Sequence, residues 1–263
     1  MTKRIAVVTG AGSGLGAAIA ARLAADGALV VATDIDGSAA ELVAKEIGGE
    51  ADELDVTDSA AVDRVVDAAV ARHGRLDVMV NNAGIAPHRP EVRDRSTANA
   101  MARMTGDGLV PLDALVTMTD EEWDRMIKVH LYGTFYGTRA ALRHMTQQRS
   151  GAIVNLASVM AYIASAGGAD YAAAKAAIVS FTKSAGAEVA HLGIHVNAVA
   201  PGFIDTPLLS FVDDTAKAMI ATRQTPNRLG RPEEIANAVA WLVSDEASFS
   251  FGETLNLTGG FPA

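Results

Sequence analysis

The chain has 263 residues, 49% of them hydrophobic and 20% charged, which is enough to bury a large core as one α/β domain or two small ones. Its net charge of −9 argues against nucleic acid or an anionic membrane surface as a partner. Cysteine is absent, which excludes disulfides, thiolate metal sites and thiol nucleophiles. The opening MTKRIAVVTGAG has too few apolar residues before its first glycine for a signal-peptide core. No run approaches the roughly 18 apolar residues of a membrane span. The expectation is a cytoplasmic protein.

Taken in chain order, the β-branched run RIAVVT leads into TGAGSGLG, where Gly10, Gly12, Gly14 and Gly16 precede a helix that begins near Leu15. Glycines at such a turn, with Ser13 among them, let the backbone approach a pyrophosphate whose charge the helix amides stabilise. The next run, ALVVATD, ends at Asp34, eighteen residues beyond Gly16. A carboxylate there can accept hydrogen bonds from ribose hydroxyls. A 2′-phosphate would meet it as a like charge, and neither Ser13 nor Ile35 offers a compensating cation, so NAD is favoured over NADP. The plainer reading of Asp34 is a turn residue at a strand end.

Val62, Val65, Val66, Ala69 and Val70 follow helical spacing and predict an amphipathic helix. After DVMVNNA the rhythm breaks. The 38 residues between Gly84 and Trp123 have mixed charge and little period, and read as a long loop. Arg89, Arg93, Arg95 and Arg103 make this stretch locally basic, but Glu91 and Asp94 interrupt the run. A solvated face is therefore favoured over a site for an anionic substrate. Thr119 and Glu122 have the form of a capping box that opens a helix through Trp123, Met126 and Ile127.

GAIVNLA, IHVNAVA and TLNLTGG continue the alternation of strands with helices that marks a parallel sheet covered on both faces. His191 and His195 have metal-pair spacing, but Gly193 between them reads as a helix stop. Asp213 with Asp214, and Glu233 with Glu234, are neighbours whose side chains diverge, so neither makes an acid/base pair. Pro232 suits the first position of another helix.

Tyr171 and Lys175 stand four residues apart, on one helix face, with Ser158 thirteen residues upstream. A lysine cation beside a phenol favours the phenolate. The trio points to proton transfer at an oxygen that the serine hydroxyl holds.

With TGAGSGLG, Asp55-Val56, NNAG from 81 to 84, Ser158, Tyr171-x-x-x-Lys175 and PGFIDTP in this order, the whole chain resembles the short-chain dehydrogenase/reductase family. The resemblance implies a single doubly wound Rossmann-type α/β domain over residues 1–263, with a parallel sheet of about seven strands. A segment at about 86–118 would be an insertion and one at about 203–228 a substrate loop. It also implies that Asp55 and Val56 border the adenine, that Asn82, Ala83 and Gly84 line the NAD cofactor, and that Pro201, Gly202, Ile204 and Thr206 cover its nicotinamide. Tyr171 would be the general base, Lys175 would bind the nicotinamide ribose, and Ser158 would hold the substrate oxygen. Leu208, Leu209, Phe211, Val212, Met219 and Ile220 would wall a pocket for a hydrophobic secondary alcohol or ketone. The family is commonly homotetrameric.

The chain departs from the family pattern in two places. His130 stands where most members carry an asparagine that anchors a water of the proton relay. A relay role, which a histidine pKa near 6.5 would suit, stands beside a packed helix histidine. The long segment after NNAG leaves the sheet edge where such folds bind ligands, and would be a pocket cover, a subunit contact or a surface loop. Alternative functions are a 3-hydroxyacyl-CoA dehydrogenase and a non-catalytic NAD-binding sensor or scaffold.

Overall fold

The computed structural model describes residues 3–87, 89–164, 166–210, 212 and 214–261. Seven parallel strands form one sheet: β1 (Ile5–Thr9), β2 (Leu29–Asp34), β3 (Glu50–Glu53), β4 (Val78–Asn81), β5 (Gly151–Leu156), β6 (Ile194–Pro201) and β7 (Thr254–Leu257), in the order β3-β2-β1-β4-β5-β6-β7. The chain winds outward in both directions from β1 and β4. Their carboxyl ends therefore border the crevice where such sheets take ligands.

On one face, Ile19, Ala20 and Leu23 of α1 (Gly14–Ala25) and Ile235, Ala236 and Val239 of α9 (Pro232–Leu242) pack with α2 (Gly37–Ile47) on Val8, Val30 and Val154. On the other, Val62, Val65, Val66 and Ala69 of α3 (Ser59–His73) join α6 (Gly133–Gln148) and α7 (Ala169–Val189) over Val7, Val31 and Ile153. Central strands buried on both faces have the continuous apolar runs that made them legible. The strand β3 does not. It is a short, charged edge strand, EADE, paired with β2 from Val31↔Glu50 to Asp34↔Glu53. Arg72 holds its outer side through Glu50 at 2.9 Å and Asp52 at 3.3 Å. Charged residues are normal on an edge, and they hide the strand from any hydrophobic pattern.

The segment read as a loop contains a helix, α4 (Pro90–Thr105). Val92 and Asn99 are buried while most of the remaining residues are exposed, so no apolar stripe reveals it. Proline at its first position and left-handed Gly106 after its last were the available signals. Arg89 is only 8% exposed, contrary to its reading as part of a solvated face. Its guanidinium donates to the Ala114 carbonyl and to Thr117 Oγ1, and lies 3.6 Å from both Glu91 and Glu122. It thereby ties both ends of the insertion to α5 (Asp120–Ile127), whose N-terminus has the expected capping box. Arg93 and Arg95 pair with Asp94 and Asp113.

Replacing Arg89 by alanine removes charge-assisted bonds from a buried position and should cost about 2 kcal/mol in urea unfolding. Limited proteolysis should then cut within 86–118 before any other segment.

Candidate active site

A cavity of about 1540 Å³ lies along the carboxyl edge of the sheet, lined by residues at or just beyond the ends of β1, β2, β4, β5 and β6. Its first wall is the glycine turn. Gly10 has φ +64°, a left-handed conformation, and a side chain on Gly16 would collide with the Gly10 carbonyl. Asn82 locks the turn to the end of β4: its amide donates to the carbonyls of Thr9 at 2.9 Å and Gly10 at 3.0 Å. Thr9 Oγ1 in turn accepts from the backbone of Asn82 and Ala83. Thr9 drew no notice in the sequence, because its role exists only once two strands lie side by side.

Ser13 is extended and makes no side-chain cap, which leaves first-turn amides of α1 for an anion. Asp34 Oδ2 accepts from the Gly12 amide at 2.9 Å and Oδ1 from the Asp36 amide at 3.1 Å. The carboxylate is thus held in place and faces the cavity beside the exposed Ile35. Leu15, Asp55, Val56, Ala83 and Gly84 also line it, as do Pro201, Gly202, Ile204 and Thr206 on the far side. Gly14 looks across to Thr206 and Pro207. A cradle of free amides, a bare glycine face and a carboxylate at the second strand fit a dinucleotide.

Ser158, Tyr171 and Lys175 converge at the edge of β5. The Ser158 hydroxyl hydrogen-bonds the Tyr171 phenol and accepts from the Met160 amide at 3.2 Å. Lys175 Nζ donates to the Leu156 carbonyl at 2.6 Å and lies 5.5 Å from the centre of the Tyr171 ring. The electrostatics differ from the expected phenolate. Burial holds Lys175 down at about 7. Burial also pushes Tyr171 above its ordinary value, and the Ser158 hydrogen bond offsets only part of this. Desolvation penalises both charged forms, so burial works against the ammonium and the phenolate alike.

His130 sits in a π-helical turn, Lys128–Tyr132, between α5 and α6, and is 1% exposed. Its Nε2 lies 3.1 Å from the Ile85 amide and 2.9 Å from the Ile85 carbonyl, and bonds one or the other according to tautomer. The ring stands edge-on to Tyr171, with centroids 5.1 Å apart, and fills the space where a Gly84 side chain would go. Burial, then the Lys175 charge, lowers its pKa well below the ordinary value. The ring is therefore held toward its neutral form, in which one nitrogen donates and the other accepts.

The insertion reaches the cavity through Val92, Ser96, Met101 and Met104 of α4. Opposite stand Leu208 and Leu209 with Met219 and Ile220 of α8 (Asp214–Thr222). Of the expected wall, Phe211 lies outside the described residues, as does Asp213, and Val212 does not line the cavity. His191 and His195 do not meet. Left-handed Gly193 separates them, and His195 stacks on Phe251 at 4.3 Å. No cluster of metal-ligating side chains occurs among the described residues, and no helix there is long and apolar enough to cross a membrane.

A parallel sheet with a glycine turn after its first strand, and a Ser-Tyr-Lys trio at the edge of its fifth, defines a Rossmann-type oxidoreductase. The family model for short chain dehydrogenases matches residues 4–217, and the chain belongs to that family, whose members use a nicotinamide cofactor. It is 40% identical over 259 residues to 3-oxoacyl-(acyl-carrier-protein) reductase FabG of Escherichia coli (strain K12), covering 98% of this chain and 96% of that protein. It is also 40% identical over 265 residues to cis-4-hydroxycyclohexanecarboxylate dehydrogenase of Sinomonas cyclohexanicum, covering 99% and 97%. The crystal structure of gox2181 matches with a TM-score of 0.84 at 29% identity, over 99% of this chain and 96% of that one.

The depressed Lys175 pKa has a stability consequence. The folded protein disfavours the charged amine, so this group lowers stability fully below about pH 7, and the loss fades as pH rises toward the ordinary 10.5. Lys175→Met also loses the hydrogen bond to the Leu156 carbonyl, so its melting temperature relative to wild type should be most favourable at pH 6 and should fall by pH 10. A pH-independent difference would show that the amine is not depressed.

Proposed function

We propose that the protein is an NAD-dependent dehydrogenase that moves a hydride between a hydrophobic secondary alcohol, or its ketone, and the nicotinamide. The observation that carries this reading is the convergence of Ser158, Tyr171 and Lys175 on one end of a cavity whose other end presents Asp34. The nicotinamide dinucleotide supplies the hydride acceptor or donor. The first-turn amides after Ser13, with Gly14 and Leu15, hold its pyrophosphate. Asp34 accepts from the ribose hydroxyls with the lone pairs that Gly12 and Asp36 leave, and repels a 2′-phosphate. Asp55 and Val56 border the adenine, Asn82, Ala83 and Gly84 line the middle, and Pro201, Gly202, Ile204 and Thr206 cover the nicotinamide.

In oxidation, Tyr171 takes the carbinol proton while Ser158 hydrogen-bonds the same oxygen. Lys175 holds the nicotinamide ribose and, as a cation, lowers the tyrosine pKa against the burial that raises it. His130 positions the Tyr171 ring and the Ile85 backbone. Met101 and Met104 cover the substrate, and Leu208, Leu209, Met219 and Ile220 wall it. The Sinomonas relative, named for a ring that carries a hydroxyl, accords with such a pocket. A second reading, reduction of a 3-oxoacyl thioester, is favoured by the equal identity to the E. coli reductase. A homotetramer in the cytoplasm belongs to the same proposal. A sensor or scaffold would leave the three polar groups at the cavity edge without purpose.

Tyr171→Phe should lower kcat by about 10²–10⁴ across cyclic, aromatic and aliphatic secondary alcohols and 3-hydroxybutyryl-CoA, with NAD still shifting the melting temperature. Turnover that survives the substitution would remove Tyr171 from the proton step. Asp34→Asn should move the NADP-to-NAD ratio of kcat/KM upward by about tenfold, the size of one relieved like-charge contact.

A further inference from the structure

The charge lining the cavity is divided. Its carboxylates, Asp34 and Asp55, stand at the end of β2 and just beyond β3, beside the glycine turn. The rest of the lining carries no carboxylate among the described residues, but does carry Arg89, Arg93, Arg125, Lys175 and Arg223. Most of these are engaged in the protein: Arg89 with the insertion, Lys175 with the Leu156 carbonyl and Arg93 with Asp94.

Arg125 of α5 and Arg223, one residue past the end of α8, are different, and of the two Arg223 is stacked on a ring. No ion pair ties it to a carboxylate among the described residues. Its guanidinium lies 4.6 Å over the ring of Phe261, which is buried and so gives it a fixed platform. A guanidinium held over a ring by its face keeps its N–H donors for a planar carboxylate, and Arg223 lines the cavity. The same helix turn supplies the apolar wall residues Met219 and Ile220. The helix C-terminus accounts for a cation at this point, but not for one stacked in place on the cavity lining. The net charge of −9 repels anions at long range, so an anionic substrate needs a local cation of this kind.

We propose that the substrate is a compact alicyclic or aliphatic hydroxy acid whose carboxylate pairs with Arg223 while its carbinol oxygen meets Ser158 and Tyr171. This rests on the dehydrogenase reading above. The carboxylate takes no part in the redox step: the carbinol carbon loses a hydride to NAD⁺, its oxygen loses a proton through Tyr171, and the product is the keto acid with NADH.

The test compares kcat/KM for cis- and trans-4-hydroxycyclohexanecarboxylate with their methyl esters, in wild type, Arg223→Gln and Arg223→Lys. Wild type should prefer the acids by at least about tenfold, the worth of one charge-assisted pair. Arg223→Gln should collapse that ratio, chiefly through KM, and Arg223→Lys should restore part of it. Equal use of acid and ester by wild type, an unchanged ratio in Arg223→Gln, or 3-hydroxybutyryl-CoA outrunning every acid overturns the proposal. Calorimetry of cyclohexanecarboxylate and cyclohexylmethanol against the NAD-bound protein separates this from the dehydrogenase reading. Carboxylate-specific binding lost in Arg223→Gln supports the anion site even where no alcohol is oxidised, and equal binding of the two ligands overturns it.

Discussion

The hydrogen bond from Lys175 Nζ to the Leu156 carbonyl joins the helix that carries Tyr171 to the strand that leads to Ser158. The placement of Tyr171 against Ser158 rests on that junction. A buried polar chain reinforces it: the Asn81 amide donates to Thr138 and Asn155, and the Asn155 amide donates to Thr182 on α7. These bonds favour one arrangement of β4, β5, α6 and α7, because losing them would leave further buried polar atoms, beside Asn81 Oδ1, without partners. The same burial depresses Lys175 and raises Tyr171. The burial that comes with positioning the pair therefore opposes its ionisation, and a nearby positive charge would favour the phenolate alone.

The two ends of the cavity show how one sheet edge separates recognition from specificity. Backbone amides and a tethered Asp34 sit on strand ends, where geometry is set by the ladder itself. The other end is built from side chains of α4 and α8, which lie outside the sheet. In a Rossmann sheet the fixed edge suits a shared cofactor, and the appended helices can vary with substrate. His130 belongs to neither end. It lies between Ile85 and Tyr171, in contact with both.

Much of the fold was legible because local physics and tertiary burial agree there. Val62 to Val70 show a helical stripe because α3 buries that stripe, and Thr119 with Glu122 cap a helix by contacts three residues apart. Where stability comes from distant partners the pattern is silent. The edge strand β3 is held by Arg72 from a helix end, and α4 by Arg89 and by Asn99, which exchanges two hydrogen bonds with the Val110 backbone. Arg89 illustrates the limit. Beside Glu91 in the chain it looks like one member of a solvated run, and only the folded loop brings the Ala114 carbonyl and Thr117 onto it.

By itself the sequence determined the family, the α/β class, the glycine turn and the Ser-Tyr-Lys spacing. These are encoded within a few residues of one another, as φ-permissive turns, one-face helix spacing and continuous apolar strands. The tertiary structure alone decided the burial of Tyr171 and Lys175, the contacts of His130 and the arginines that line one end of the cavity. Desolvation, stacking and ion pairing each depend on atoms far apart in the chain, and no local pattern records which of them will meet.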